Sequence, residues 1–230
     1  MKKLIAFLTI CVFCELFSIP ELKNENDVLQ YVKTFLPTNP IILEAGGNLG
    51  EDTLRMKSFW PNATMHVFEP LPLSFKKMKE ATEHLSNINY YPYALSDHTG
   101  TTNFYINIPN NGASSIGRPL AFNQDEFDPT SINVKCLTIN AWVKLYNINH
   151  IDFMWLDMES HELYALKNSL NVLNTVRAIY TEVAYTPVRG NSCLYPDLKK
   201  FLEDNNFSEV WKMNCGRFGN ALFIKKDLLQ

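Results

Sequence analysis

The sequence has no run rich in lysine and arginine. Its 21 basic residues are outnumbered by 24 acidic ones, so that the formal net charge is −3. A protein that holds nucleic acid through its phosphates needs a positively charged face. We therefore expect no nucleic-acid partner.

Cysteines are few and poorly placed for disulfides. Three of the five, Cys136, Cys193 and Cys215, are widely spaced and odd in number, which indicates no disulfide framework. The other two, Cys11 and Cys14, form a CxxC pattern inside an apolar run, where they are typical of apolar filler rather than of a metal or redox pair. Internal repeats and low-complexity linkers are also absent from the sequence.

No apolar run is long enough to span a membrane unaided. The longest, residues 4–14, follows Lys2 and Lys3 and suits the core of a signal peptide. Glu15 and a weak cleavage pattern before Ile19 leave three interpretations open: a cleaved export signal, an uncleaved anchor that associates with a membrane through residues 4–19, or a buried helix. We assign residues 1–19 to this signal-peptide-like or anchor segment, 20–40 to a helical lead-in, and 41–230 to one domain.

Strand-like and helix-like segments alternate along that domain, which predicts a parallel sheet. The predicted strands are residues 41–45, 64–68, 89–93, 153–156 and 178–183. Two further apolar segments, residues 207–213 and 221–224, have no room for a crossover helix between them and predict an antiparallel hairpin.

Three helices are predicted between and before these strands. Residues 26–32 form a short amphipathic helix that ends before Pro37, and Pro72 opens a second helix in which Met78 and Leu85 share a face. A third is indicated by leucines at steps of three and four, namely Leu163, Leu166, Leu170 and Leu173. Residues 107–115 form the clearest long loop.

The first strand runs into a glycine-rich turn, in the stretch IILEAGGNLG of residues 41–50. Such a turn brings backbone close to a nucleotide, and a phosphate ligand would sit on the start of the next helix. Here that first helical turn carries Glu51 and Asp52, which stabilise the helix but repel a diphosphate. The pattern favours a ligand without phosphates.

S-adenosylmethionine is such a ligand, since it carries an ammonium, a sulfonium and one carboxylate. Glu44, at the end of the first strand, is placed to orient its aminoacyl end, while the glycines of the turn let it approach the backbone. Glu69 ends the second strand, at about the separation expected of a carboxylate that holds the two ribose hydroxyls. The alternative for Glu69 is a solvated loop acid.

Six segments in order resemble the FkbM-type S-adenosylmethionine-dependent methyltransferases. They are IILEAGGNLGEDT, HVFEPLP, YALSDHTGTTNFYI, NGASSIG, KCLTINAWV and IDFMWLDMESHELYALKNSL. The resemblance implies an α/β fold of the class I methyltransferase, Rossmann-like type: a seven-stranded, mostly parallel sheet with a C-terminal antiparallel hairpin and helices on both faces. It also implies O-methylation of hydroxyls, often on sugars or secondary metabolites.

The resemblance also assigns residues. It implies Glu44, Gly46, Asn48 and Gly50 in the cofactor turn, Glu69 on the ribose, Ser96 and Asp97 at the adenine edge, and Asp157 facing the methyl-transfer site. Two departures, Ser160 where the family commonly has glycine and Gly47 where it often has alanine, bear on the substrate more than on the cofactor.

The acceptor hydroxyl also needs a base, and one segment gathers several titratable groups. Asp157, Glu159, His161 and Glu162 follow an apolar strand, and mutual repulsion there can raise a carboxylate pKa towards useful values. We favour Asp157 or His161 as the base, with Glu159 in the catalytic set. In the alternative, the glutamates only stabilise the helix start and His161 is a surface residue. The same group could ligate a metal, but we assign none.

Two other functions stay open at this point. The glycine turn permits an NAD-type oxidoreductase, which the first-turn acids oppose, and the fold could also serve as a non-catalytic nucleoside-binding module. We expect a small-molecule or saccharide acceptor. The leader suggests export or membrane tethering, whereas the supply of S-adenosylmethionine favours the cytoplasm. The oligomeric state is not indicated.

Overall fold

The structure is a computed structural model that describes residues 20–107, 111–120 and 130–229. The leader, residues 1–19, lies outside this range with Cys11 and Cys14, so the interpretations of that segment stay predictions. Within the described residues, no helix has the length and apolar character needed to cross a membrane.

The described residues contain ten strands, which form a large sheet and a small one. In chain order they are β1 (Ile41–Ala45), β2 (Thr64–Phe68), β3 (Ile88–Tyr91), β4 (Ala94–Leu95), β5 (Gly100–Tyr105), β6 (Ser131–Leu137), β7 (Phe153–Leu156), β8 (Ala178–Ala184), β9 (Phe207–Asn214) and β10 (Phe218–Lys225). The large sheet has the order β3-β2-β1-β7-β8-β10-β9, in which β10 runs antiparallel to both of its neighbours. The other pairs are parallel.

Seven α-helices accompany the strands in the described part of the chain. They are α1 (Glu25–Val32), α2 (Glu51–Phe59), α3 (Pro72–Thr82), α4 (Ile139–Leu145), α5 (Glu162–Lys167), α6 (Leu170–Leu173) and α7 (Tyr195–Asp204). The predicted fold, a mostly parallel seven-stranded sheet with a C-terminal antiparallel hairpin, is confirmed.

Two apolar cores lie on the opposite faces of the large sheet. Successive side chains of a strand point to opposite faces, so Ile42 enters one core while Leu43 enters the other. The first core takes α1, α2 and α3 through residues such as Leu29, Met56 and Met78. The second takes α4 to α7. The near-continuous apolar strands of the sequence are therefore explained by burial on both faces.

The lead-in, residues 20–40, packs against the large sheet through α1. Asn24 caps α1 by accepting backbone N–H bonds from Asn26 and Asp27. Val28 and Leu29 are fully buried in the same core as β1. The ordered region that packs on the sheet therefore begins before Ile41.

Several predicted elements end at different places from those expected. The third strand, predicted at residues 89–93, is Ile88–Tyr91. The hairpin turn is only residues 215–217, since β9 and β10 extend further than the apolar residues alone indicated. Helix α3 ends at Thr82, so Leu85 is not on its face, because the chain turns through Asn87 at φ 60° to enter β3.

The leucine pattern of residues 163–173 belongs to two short helices rather than one. Ser169 separates them, and its hydroxyl donates a hydrogen bond to the Leu166 carbonyl, which competes with continued helix. Leu170, expected in the core, is 49% exposed.

The small sheet was not predicted. It has the order β4-β6-β5, with β6 parallel to β4 and antiparallel to β5, and it encloses its own apolar cluster around Phe104 and Cys136. The described part of the predicted loop, beyond residues 108–110, contains a 3₁₀ turn at Asn111–Ala113 and a bridge between Tyr105 and Ser115. This places the loop beside the carboxyl ends of the large sheet.

Candidate active site

A cleft of about 220 Å³ opens at the carboxyl ends of β1, β2 and β7. One wall is apolar and includes Phe68, Tyr93, Leu95, Phe104 and Ile116. The polar wall includes Asn48, Glu51, Asp52, Asp157, Glu159 and His161. Parallel strands place their carboxyl ends at one edge, which is where ligands of open α/β sheets bind.

The glycine turn forms the floor of the cleft. Gly46 has φ +94°, and a Cβ there would lie 1.9 Å from the Asp157 carbonyl oxygen. A Cβ at Gly47 would lie 2.4 Å from the Met78 sulfur. These glycines allow β7 and α3 to approach the turn closely, so the space that a side chain would occupy there is filled by protein.

Glu44 lies beneath the turn and outside the cleft wall. Its side chain is fully buried, and Oε2 accepts a 2.6 Å hydrogen bond from the Thr53 hydroxyl. The other oxygen, Oε1, has no hydrogen-bond partner among the described residues. Burial raises the pKa of Glu44 to about 8, against the lowering effect of Thr53.

Glu69 links the glycine turn to the segment that follows β2. Its carboxylate accepts backbone N–H bonds from Asn48 at 2.9 Å and from Leu71 at 2.7 Å. Burial raises the pKa of Glu69 to about 7, while these two bonds lower it. Each oxygen keeps a further lone pair. Its assignment to the ribose stays a prediction.

Ser96 and Asp97 lie behind the cleft rather than in its wall. The Ser96 hydroxyl is 3.1 Å from both Nε2 of His161 and a carboxylate oxygen of Asp97. The His161 ring stacks on Tyr164 at 4.8 Å between centroids. Burial lowers the pKa of His161 to about 4, so the ring is neutral at pH 7. The structure therefore links His161 to the adenine-edge pair that the resemblance implied.

The titratable residues that follow β7, from Asp157 to Glu162, do not all lie together in the structure. Glu162 is buried beneath the turn, where Oε1 accepts backbone N–H bonds from Met158 and Ser160. Burial raises its pKa to about 7. A different glutamate, Glu182 of β8, joins Asp157 and Glu159, and one oxygen of each of the three lies within 4.8 Å of the others.

Asp157 and Glu159 both line the cleft, and Asp157 is the more exposed of the two. It follows β7 directly, its N–H donates to the Ala45 carbonyl, and solvent reaches its side chain through the cleft. Desolvation by surrounding protein, together with the nearby carboxylates of Glu159 and Glu162, raises the pKa of Asp157 well above its ordinary value. A carboxylate with a raised pKa is suited to accept a proton near neutral pH.

Glu159 is held by the loop over the cleft. It forms an ion pair with Arg189, which is 3% exposed and also donates a 3.0 Å hydrogen bond to the Ala113 carbonyl. The Ser115 hydroxyl donates to the Glu159 carbonyl at 3.1 Å. Glu159 and Ser160 have φ 56° and 72°, a conformation that glycine adopts more readily. Ser160 is the position where the family commonly has glycine.

The cleft is negatively charged. Four carboxylates, Glu51, Asp52, Asp157 and Glu159, line it, and none of the described residues in its wall is lysine or arginine. Asp52 accepts a 3.1 Å hydrogen bond from the Trp155 indole, which fixes one of these acids. Such a wall repels phosphates and attracts a cationic ligand.

Glu182 and Arg189 were missed in the sequence. Glu182 carried a signal, because an acid inside the apolar segment AIYTEVA of β8 needs a partner when it is buried, as Glu44 does. Arg189 carried none, since it lies in an irregular segment whose neighbours only the fold supplies.

Comparison with known proteins matches residues 44–209 to the methyltransferase FkbM domain. One relative is the 2-O-methyltransferase NoeI of Sinorhizobium fredii, which is 27% identical over 166 residues, or 66% of this chain and 67% of that protein. Another is the hexuronic acid methyltransferase AglP of Haloferax volcanii, which is 22% identical over 87% of this chain and 77% of that protein.

Among solved structures, the fold is similar to that of magnesium protoporphyrin IX methyltransferase from Synechocystis PCC 6803 with bound SAM. The TM-score is 0.50 at 12% identity, over 87% of this chain and 77% of that one, which supports the fold alone. The family match is more informative, because it covers well over half of the chain. The protein belongs to the FkbM family of methyltransferases, whose cofactor is S-adenosylmethionine, as the sequence predicted.

Proposed function

We propose that the protein transfers the methyl group of S-adenosylmethionine to a hydroxyl oxygen of a saccharide or another small hydroxylated metabolite. The observation that carries this proposal is the acid-lined cleft at the carboxyl ends of the strands, with Asp157 in its polar wall. Its charge favours a cationic cofactor, and the exposed carboxylate supplies a proton acceptor.

The residues present fit S-adenosylmethionine. Its sulfonium and ammonium suit a wall that contains four carboxylates, and the apolar wall with Phe68, Leu95 and Ile116 suits a flat heterocycle. Glu44 also keeps a buried, unpartnered oxygen directly under the turn. The turn at Gly46 and Asn48 would hold the cofactor, with Glu69 at the ribose.

When bound, the cofactor supplies a methyl group activated by the positive sulfur. The chain must then hold an acceptor oxygen in line with that methyl at about 3 Å and exclude water. A carboxylate oxygen of Asp157 would accept the hydroxyl proton as the methyl group passes from the cofactor sulfur to the acceptor oxygen. Asp157 returns the proton to solvent through the cleft.

The geometry favours Asp157 over His161 as the base. His161 lines the cleft, but Nε2 is engaged by Ser96 and burial holds its pKa at about 4, so the ring is a weak base. Asp157 is accessible and has a raised pKa. Glu159 is engaged by Arg189, which makes it a poorer proton acceptor.

The acceptor class is supported by the relatives. By their names, NoeI is a 2-O-methyltransferase and AglP acts on hexuronic acid. Both names are consistent with a hydroxyl acceptor, and AglP's with a sugar. A carbohydrate with adjacent hydroxyls is therefore the first class to test.

The test begins with calorimetry of the full chain with S-adenosylhomocysteine and, in parallel, with NADH. We expect S-adenosylhomocysteine to bind and NADH not to bind, because the acidic wall repels a diphosphate. Labelled methyl donor is then supplied with a panel of neutral sugars, uronic acids and non-sugar alcohols. Binding without transfer to any acceptor would support the non-catalytic module instead, and NADH binding alone would contradict the proposal.

A further inference from the structure

Three carboxylates from two strand ends meet at the acceptor side of the cleft. Asp157 directly follows β7, and Glu182 lies on β8, in which Thr181 is the register partner of Leu156. The two acids are thus at the same level of adjacent strands. Glu159 completes the group, with one oxygen from each residue within 4.8 Å of the others.

Glu182 supplies an independent observation. Its Oε2 atom is buried and has no hydrogen-bond partner among the described residues. A buried carboxylate oxygen without a partner costs free energy unless something compensates it. One oxygen of Glu182 therefore lacks a protein partner where the side chain meets two further acids.

Arg189 neutralises only part of this group. Its guanidinium pairs with Oε2 of Glu159, and one positive charge faces three acids. The other two carboxylates, Asp157 and Glu182, give the site excess negative charge, and like charges so close repel each other strongly in a low dielectric. A bound cation would remove that repulsion.

We propose that Asp157, Glu159 and Glu182 bind one divalent cation. Carboxylate oxygens are the ligands of hard ions, and Mg²⁺ or Mn²⁺ binds with a few protein oxygens and keeps several water ligands. An ion with oxygens at about 2.1–2.5 Å holds opposite ligands about 4–5 Å apart, so the observed spacing admits a single ion. The sequence favoured no metal, because closely spaced acids also occur at a helix start without one, and it did not point to Glu182.

The role of this cation rests on the proposed function. Its remaining coordination positions face the cleft through Asp157, where two neighbouring hydroxyl oxygens of an acceptor can replace water. The ion then orients the acceptor and lowers the pKa of the bound hydroxyl, while a free carboxylate oxygen takes the proton. This narrows the acceptor to a vicinal diol.

The direct test is Mn²⁺ binding to the full chain, read from the electron paramagnetic resonance signal of free Mn²⁺ and without methyl donor. We expect one Mn²⁺ per chain, displaced by Mg²⁺. Glu182→Gln keeps the shape of the side chain but removes its charge, and we expect it to weaken Mn²⁺ at least tenfold. Asp157→Asn is a second variant with the same expectation.

Glu80→Gln is the matched control, because it removes an exposed carboxylate on α3 that pairs only with Lys76 in the described residues. It should bind Mn²⁺ as the wild type does. Absence of stoichiometric Mn²⁺ binding, or equal binding by wild type, Glu182→Gln and Asp157→Asn with folds intact by circular dichroism, would overturn the site.

The experiments distinguish failure of the cation site from failure of the proposed methyltransferase function. If S-adenosylhomocysteine binds but Mn²⁺ does not, the metal site is wrong and the methyltransferase proposal stands. If Mn²⁺ binds and depends on Glu182 but no hydroxyl acceptor is methylated, the site is real and its proposed role is wrong. With a known acceptor, loss of transfer on chelation and its return with Mg²⁺ would support the role.

Discussion

Asp157 is the residue on which the proposed chemistry depends. Its position is set by two contacts: its N–H donates to the Ala45 carbonyl, and its own carbonyl lies where any Cβ at Gly46 would be. Strands β1 and β7 are thus held together at the point where the methyl acceptor would bind. A small change at Gly46 would displace Asp157.

Replacing Asp157 by asparagine should separate binding from transfer. We expect Asp157→Asn to bind S-adenosylhomocysteine nearly as well as the wild type and to lose methyl transfer by about 10²–10⁴-fold, the usual contribution of a positioned base. The measurement is calorimetry followed by a labelled-methyl assay on the best acceptor. His161→Gln is the comparison and should keep most of the rate. A wild-type rate in Asp157→Asn would remove this residue from the chemistry.

Glu69 tests the cofactor end of the same cleft. We expect Glu69→Ala to weaken S-adenosylhomocysteine by about 1.5–3 kcal/mol, because charge-assisted bonds to the ribose and the tie between Asn48 and Leu71 are lost together. Calorimetry gives the affinity, and Glu80→Ala serves as the control. Unchanged affinity with an intact fold would exclude Glu69 from the cofactor site.

At the scale of elements, the unexpected finding is how closely α1 is joined to the sheet. Besides its buried apolar face, α1 contributes Glu25, whose carboxylate accepts a 3.1 Å hydrogen bond from the Tyr180 hydroxyl of β8. The Trp211 indole of β9 donates a 2.8 Å hydrogen bond to the Leu22 carbonyl just before α1. The lead-in therefore contacts β8, the strand that contains Glu182, and helps to hold it in place.

Leu29→Ala measures how much the packing of α1 contributes to the stability of the fold. Leu29 is fully buried, so its truncation should lower the free energy of unfolding by about 2–5 kcal/mol, which urea denaturation detects. Gln30→Ala, at an exposed position of the same helix, should change it by less than about 0.5 kcal/mol. Equal stability of the two variants would show that α1 is dispensable for folding.

At the scale of the whole molecule, the buried carboxyls make stability depend on pH. Burial raises the pKa of Glu44 to about 8 and those of Glu69 and Glu162 to about 7. Near pH 7 the unfolded chain has lost these protons and the folded chain keeps part of them, so stability falls as pH rises. The histidines with pKa lowered to about 4, His66 and His161, act with the opposite sign, but only below about pH 6.5.

We therefore expect the free energy of unfolding to fall by about 2–4 kcal/mol between pH 6.5 and 8.5. Chemical denaturation with a chelator present measures this without a bridging cation. Glu44→Gln keeps an acceptor for the Thr53 hydroxyl and removes the charge, so its fall should be roughly half as large. A flat profile in the wild type would show that these carboxyls ionise freely in the folded state.

The sequence by itself determined the central strands of the large sheet, the glycine turn and the family. Strands β1, β2 and β7 begin and end at the predicted residues, because apolar runs bounded by Pro, Gly and acids are local signals. The acids Glu44, Glu69 and Asp157 were singled out for the same reason. Glu44 lies near the end of β1, and Glu69 and Asp157 directly follow β2 and β7. Helix ends were less well predicted, because Leu85 and Leu170 fit the periodicity but lie where the chain must turn towards the next element.

Only the tertiary structure decided which acids act together. Glu162 and His161 are neighbours of Asp157 in sequence, yet the turn at Glu159 and Ser160 directs Glu162 beneath the backbone and His161 towards Ser96. Glu182 is distant in sequence and is brought in because β8 pairs in parallel with β7. The small sheet and Arg189 close the cleft by contacts between distant segments. Periodicity and motif spacing report only local preference, whereas side-chain partners depend on strand order and register.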